Sequence, residues 1–137
     1  MTATNNAAEL PLGRTGSATV RVVETLMAPH MGSGRAPVFA TPALVALMEA
    51  AAVDCVESAL DESQETLGIH IDVEHIAATP QGMEVTARAE LIQRDGRKLT
   101  FALEARDGRE LVGRGHHTRI IVDSARFRSK VQAKGAA

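Results

Sequence analysis

The sequence predicts an α+β layer in which one long helix packs on a five-stranded antiparallel sheet. Three observations lead there. A single strong apolar stripe at helical spacing occupies residues 42–60, several segments alternate with a period of two, and two Asp-Gly pairs sit between alternating segments. One helix against strands with one apolar face gives two layers around one core.

The remaining composition narrows the class. The 137 residues suffice for one domain with a modest core, and 45% are hydrophobic, so the chain is expected to fold. Only 2% are aromatic, with three Phe and no Trp or Tyr. The core therefore has to come from Val, Ile, Leu, Met and Ala, and serial base stacking on aromatics is excluded. Fifteen Lys+Arg against 17 Asp+Glu leave a net charge of −2, which argues against a nucleic-acid partner. The lone Cys55 excludes an internal disulfide and a Cys-rich zinc site. No apolar run is long enough to span a membrane, and the opening MTATNNAAELPLGR does not read as a signal peptide. A reducing, cytoplasmic setting is expected. The division is a flexible arm over 1–14, a domain over 15–131 and a tail over 132–137. The basic stretch RFRSKVQAKGAA, residues 126–137, reads as a solvated end.

Taken in order, Ala18, Val20 and Val22 share one side of a strand over 17–24. Residues 25–40 hold Pro29, Gly32, Ser33, Gly34 and Pro37 and read as loop. Thr41 and Pro42 then suit an N-cap and a first helical position. Leu44, Leu47, Met48, Ala51, Ala52, Cys55, Val56 and Ala59 form the stripe. Over 68–76, Ile69, Ile71, Val73 and His75 fall on one face. Met83, Val85, Ala87, Ala89 and Leu91 make an inward face over 83–92, and Leu99, Phe101, Leu103 and Ala105 continue it on the next strand. Asp95-Gly96 and Asp107-Gly108 mark the turns, and a last strand covers 110–122.

Three residues stand out as candidates for chemistry. Glu49 is the only charge in PALVALMEAAAV, residues 42–53, and lies at the edge of the buried stripe. A carboxylate there needs a specific partner or a raised pKa, or else it reaches solvent. His75 completes an inward alternation and should face the same helix. It reads either as a core histidine or as a proton carrier, and an inward Glu and an inward His can satisfy one another. Thr41 reads first as an N-cap, but a helix N-terminus also suits a developing oxyanion. Gly68 would let a ligand approach the backbone. Adjacent His116 and His117 point to opposite faces, and His70 and His75 differ in parity, so no metal site is expected. The glycines of GSGR, residues 32–35, lack the context of a phosphate loop. Arg119, in the apolar RIIV, reads as a surface or paired arginine.

VFATPALVALMEAAAV (38–53), LGIHIDVEHIAATPQGMEVTARAEL (67–91) and GRGHHTRIIV (113–122) carry a family resemblance. Over residues 15–131 the chain resembles the fluoroacetyl-CoA-thioesterase-like branch of the hot-dog superfamily. The resemblance implies a hot-dog fold, a long central helix wrapped by the sheet. It also implies a homodimer formed through the sheet and hydrolysis of an acyl-CoA, with no metal and no cofactor beyond the CoA of the substrate. It places the catalytic threonine, glutamate and histidine on Thr41, Glu49 and His75. The substrate-facing glycine falls on Gly68 and the active-site arginine on Arg119, and Phe39 of the FAT motif joins the substrate-binding set. Glu49 would act either as nucleophile or as general base, and the basic C-terminal residues become candidates for the CoA phosphates. One departure concerns specificity. Fluoroacetyl-specific members carry aromatic lid residues just before FAT, and here HMGSGRAPVF has none before Phe39. A broader short- or medium-chain preference is expected. The alternative function is a non-catalytic hot-dog protein binding acyl-CoA or another small ligand. A hydratase of the same fold would use a different Asp/His arrangement.

Overall fold

The computed structural model describes residues 10–136. The strands are β1 (Thr15–Arg21), β2 (Gln64–His75), β3 (Glu84–Asp95), β4 (Lys98–Arg106) and β5 (Leu111–Asp123). The helices are α1 (Ala28–Met31), α2 (Thr41–Val56) and α3 (Ser124–Gly135). All strand pairs are antiparallel, in the order β1-β3-β4-β5-β2, which leaves β1 and β2 as edges.

The sheet curls around α2. Ala43, Leu44, Leu47, Met48, Ala51, Ala52, Cys55 and Val56 are buried along the helix, as the stripe requires. They meet Val85, Ala87, Ala89 and Leu91 of β3 and Leu99, Phe101, Leu103 and Ala105 of β4 in one core. Strand β1 crosses the helix so closely that a Cβ on Gly16 would collide with the Cys55 backbone. The helix stops at Val56 and tightens into a 3-10 turn over Glu57–Ala59, within the expected span.

Five expectations change. Thr41 is not the N-cap. Ala40 takes that position in extended conformation without a side-chain bond, and Thr41 is the first helical residue. The loop over 25–40 contains local structure, a 3-10 turn at Glu24–Leu26 and the single turn α1. The C-terminal stretch is a helix, begun by Asp123, whose carboxylate accepts from the Arg126 N–H at 2.9 Å. It buries no residue, so it shows no apolar period in sequence. The arm expected over 1–14 is docked from Leu10, which is buried, to Arg14, and Gly13 N donates to Leu91 O at 2.8 Å. Residues 1–9 of that arm lie outside the described residues.

The fifth change matters for the site. The β2–β5 register shifts between Gly68 and His70, leaving Ile69 as an extra bulged residue. Such a bulge reverses side-chain parity along the strand. Ile69 is 50% exposed, not inward. Thr66 and Gly68 turn inward before the bulge, and Ile71, Val73 and His75 after it.

Candidate active site

The first cluster sits where α2 begins. Thr41 Oγ1 and His75 Nδ1 are 2.8 Å apart, joining the helix start to the end of β2. Because Ala40 supplies the extended entry to the helix, the Thr41 hydroxyl is free of capping and turns to the imidazole. Phe39, buried beneath, packs edge-on against the His75 ring, with centroids 6.5 Å apart and planes at 81°. That contact orients the ring, and Phe39 forms part of the wall of the hollow. Among the described residues His75 Nε2 is buried without a well-formed hydrogen bond, the Ala77 backbone being the polar neighbour that acts on its pKa. Burial pushes the His75 pKa below its ordinary 6.5, opposed by the backbone of Ala77, so the ring is held toward neutrality. Both groups line a hollow of about 340 Å³ with Ala28, Val38 and Ile76.

The second cluster lies halfway along α2. Glu49 keeps its side chain 42% exposed, so it reaches solvent, and it also has a specific partner. Arg119 Nη1 donates to Glu49 Oε2 at 3.4 Å. The arginine is itself fixed from β2, its Nε donating to Thr66 Oγ1 at 2.8 Å and its Nη2 to Thr66 O at 3.0 Å. His117 Nδ1 donates to the His70 carbonyl at 2.7 Å. Its Nε2 then accepts from Arg119 Nη1 at 3.1 Å, which requires the neutral ring. Burial is the main force lowering the His117 pKa, with Arg119 adding to it and the His70 bond and Glu49 opposing. Gly68 completes the arrangement, because a Cβ there would stand 2.7 Å from Glu49 Oε2 and 3.2 Å from Arg119 Nη1. Any larger residue would displace the carboxylate.

The six expected residues therefore fall into two groups: Thr41, His75 and Phe39 line one hollow, Glu49 and Gly68 line another, and Arg119 joins the second through Glu49. Within one chain Glu49 and His75 are not each other's partner. Eight helical positions separate Thr41 from Glu49, about 12 Å along the axis. His117 and Thr66 were not singled out from sequence. His117 carried a signal, since it shares the inward parity of Arg119 and Ile121 on β5, and all three are buried. Among the described residues no group of three or more His, Cys, Asp or Glu is placed to hold a metal ion. None of the described helices is long and apolar enough to cross a membrane.

A long helix enclosed by a five-stranded antiparallel sheet defines the hot-dog class. A hot-dog-like protein from Thermanaerovibrio acidaminovorans matches at TM-score 0.86, with 98% of each chain covered and 19% identity, which speaks for the fold. Closer relatives carry the family. A family model described as fluoroacetyl-CoA-specific thioesterase matches residues 22–125. The fluoroacetyl-CoA thioesterase of Streptantibioticus cattleyicolor is 41% identical over 97 residues, 71% of this chain and 70% of that protein. A solved structure of a fluoroacetyl-CoA thioesterase matches at TM-score 0.85 with 33% identity, covering 90% of this chain and 96% of the other. The chain belongs to the fluoroacetyl-CoA-specific thioesterase family.

Proposed function

We propose that the protein is an acyl-CoA thioesterase that hydrolyses a short or medium acyl-CoA to the free acid and CoA, acting as a cytoplasmic homodimer without metal or redox cofactor. The observation that carries this is the Thr41–His75 pair, which leaves a buried, unpartnered imidazole nitrogen in a hollow beside a helix N-terminus. A thioester carbonyl placed there meets the positive end of α2. Glu49 is the second working group, aimed by Arg119 and given room by Gly68.

The two groups come together through the dimer. Strand β2 is a 12-residue edge whose outer side has no partner strand among the described residues. Long edges of this kind invite pairing with a second copy. An antiparallel dyad midway between Gly68 and His75 sets the Glu49 hollow of one subunit beside the Thr41–His75 hollow of the other. Each site then takes Thr41 and His75 from one chain and Glu49 from its partner.

Two routes share this geometry. In one, a Glu49 oxygen attacks the carbonyl carbon, the C–S bond breaks, the thiolate takes a proton by way of His75, and water hydrolyses the resulting anhydride. In the other, Glu49 takes a proton from water as that water attacks the carbonyl carbon, the C–S bond breaks, and the proton passes to the thiolate by way of His75, which restores the Glu49 carboxylate. Trapping with hydroxylamine separates them, since only the anhydride route passes through an acyl-enzyme. Thr41 holds the imidazole in register in both.

The acyl side should be permissive. Residues 25–37 contain no aromatic, and Phe39 is engaged under His75. Contacts with one small substituent distinguish substrates by only about 1–3 kcal/mol. Thiol release from acetyl-, fluoroacetyl- and butyryl-CoA tests the whole reading. We expect turnover of several and weak fluorine preference. No thiol release from any acyl-CoA would overturn the function, and a fluoroacetyl preference above about a thousandfold would overturn the open pocket.

A further inference from the structure

The Thr41–His75 hollow has one feature that hydrolysis alone does not use. Arg35 lines it, and no carboxylate lies among its lining residues. Arg119, Arg114 and Arg128 are paired with Glu49, Glu74 and Glu65, whereas Arg35 is exposed at the rim of the hollow. Arg35 makes no ion pair or side-chain hydrogen bond with any described residue. The rest of the lining beyond Thr41, His75 and Ser33 is apolar or glycine, including Ala28, Val38 and Ile76.

The segment that carries Arg35 is anchored at both ends. Ser33 N donates to Ala28 O at 2.9 Å, Ala28 N to Val38 O at 2.9 Å, and Phe39 N to Thr79 O at 2.9 Å. Gly32 and Gly34 take positive φ values of 70° and 145°, a backbone that favours glycine. A guanidinium on such a support presents a planar fork suited to a carboxylate. An apolar stretch between that fork and the reacting pair suits a short methylene chain, and about 340 Å³ is within the range of small-ligand pockets.

Resting on the thioesterase reading, we infer that Arg35 is a specificity-determining residue that selects acyl-CoAs whose short acyl group ends in a carboxylate, the mono-CoA thioesters of dicarboxylic acids. The distal carboxylate pairs with Arg35, the methylenes lie against Val38 and Ile76, and the thioester carbonyl reaches Thr41 and His75. The competing role for a free arginine beside a CoA site is contact with the CoA phosphates, and the test separates the two.

The probes are the unhydrolysable thioethers S-(3-carboxypropyl)-CoA and S-butyl-CoA, which differ only in the terminal group. Their affinities are measured by calorimetry on the full-length protein, its Arg35→Ala variant and its Arg35→Lys variant. We expect the wild type to bind the carboxylated probe at least about tenfold more tightly, a ratio that collapses toward one in Arg35→Ala and is partly restored in Arg35→Lys. A ratio near one in the wild type overturns the proposal. So does a wild-type preference that survives in Arg35→Ala, and equal weakening of both probes assigns Arg35 to the CoA phosphates. Binding is read without turnover, so a protein that shows the preference but releases no thiol from succinyl-CoA would refute the thioesterase reading and leave the selectivity standing.

Discussion

The two ends of the site are built on different physical terms. At Glu49, each polar contact is supported by another: Thr66 holds Arg119 twice, His70 fixes the His117 tautomer, and His117 and Glu49 share one arginine nitrogen. At Thr41 and His75 a single hydrogen bond joins the pair, and among the described residues the far imidazole nitrogen has no well-formed hydrogen bond. A connected buried network is rigid and costly to disturb, whereas a buried unpartnered atom has its partner still to come. The first region aims a group, and the second waits to receive one.

Removing the aimed group should have the largest effect. Glu49→Gln keeps the shape and, with its side chain 42% exposed, should leave the fold intact. We expect kcat lower by roughly 100-fold or more, the scale of a lost acid–base or nucleophilic group. Unchanged turnover in a folded variant would remove Glu49 from the mechanism.

Breaking the support is the next step down. Arg119→Lys keeps the charge but loses the fork that spans Thr66, His117 and Glu49. A drop in kcat of about tenfold, with KM nearly unchanged, would mark a positioning role. If kcat holds while the melting temperature alone falls, the arginine serves stability only.

At the receiving end, Thr41→Val removes the hydroxyl facing His75, while Thr41→Ser keeps it. About a tenfold loss in kcat/KM is expected for Val and much less for Ser. A loss in Ser with none in Val would place the methyl group, not the hydrogen bond, in the working role.

The smallest effect concerns pH. His75 and His117 both have pKa values lowered from 6.5 by burial. The unfolded chain therefore takes up protons first as pH falls. Their contribution to stability is complete above about 6.5 and is lost as pH drops from there through the folded-state values. Thermal melts should show the transition falling by a few degrees between about pH 7 and pH 5, and the His117→Gln variant should show a shallower fall. An identical slope in that variant would mean that His117 does not carry the linkage.

Much of the frame can be read from local pattern. The stripe of α2 and the alternation of β3 and β4 meet the core as the residues are ordered, because both are set by a fixed period against one apolar face. The isolated charge of Glu49 left a partner, a raised pKa or solvent open, and the structure gives it both Arg119 and solvent, while the expected pairing with His75 does not form within one chain. The bulge at Ile69 could not be read, since IHIDVEH alternates without a break in sequence and only its pairing with β5 reveals the extra residue. That shift turns Gly68 toward Glu49. Helix α3 escaped notice because a helix that buries nothing has no period to display.

The sequence by itself determined the class of fold, the extent of the central helix and the residue types available for chemistry, since these follow from composition, periodicity and short-range propensity. Tertiary structure alone decided which of those residues meet. Thr66 and Arg119 are 53 positions apart and Thr41 and His75 are 34, and their contacts exist only because β2 lies on the sheet edge beside β5 and ends at the start of α2. Distances of that kind are set by strand register and by the helix crossing the sheet, which no local pattern encodes.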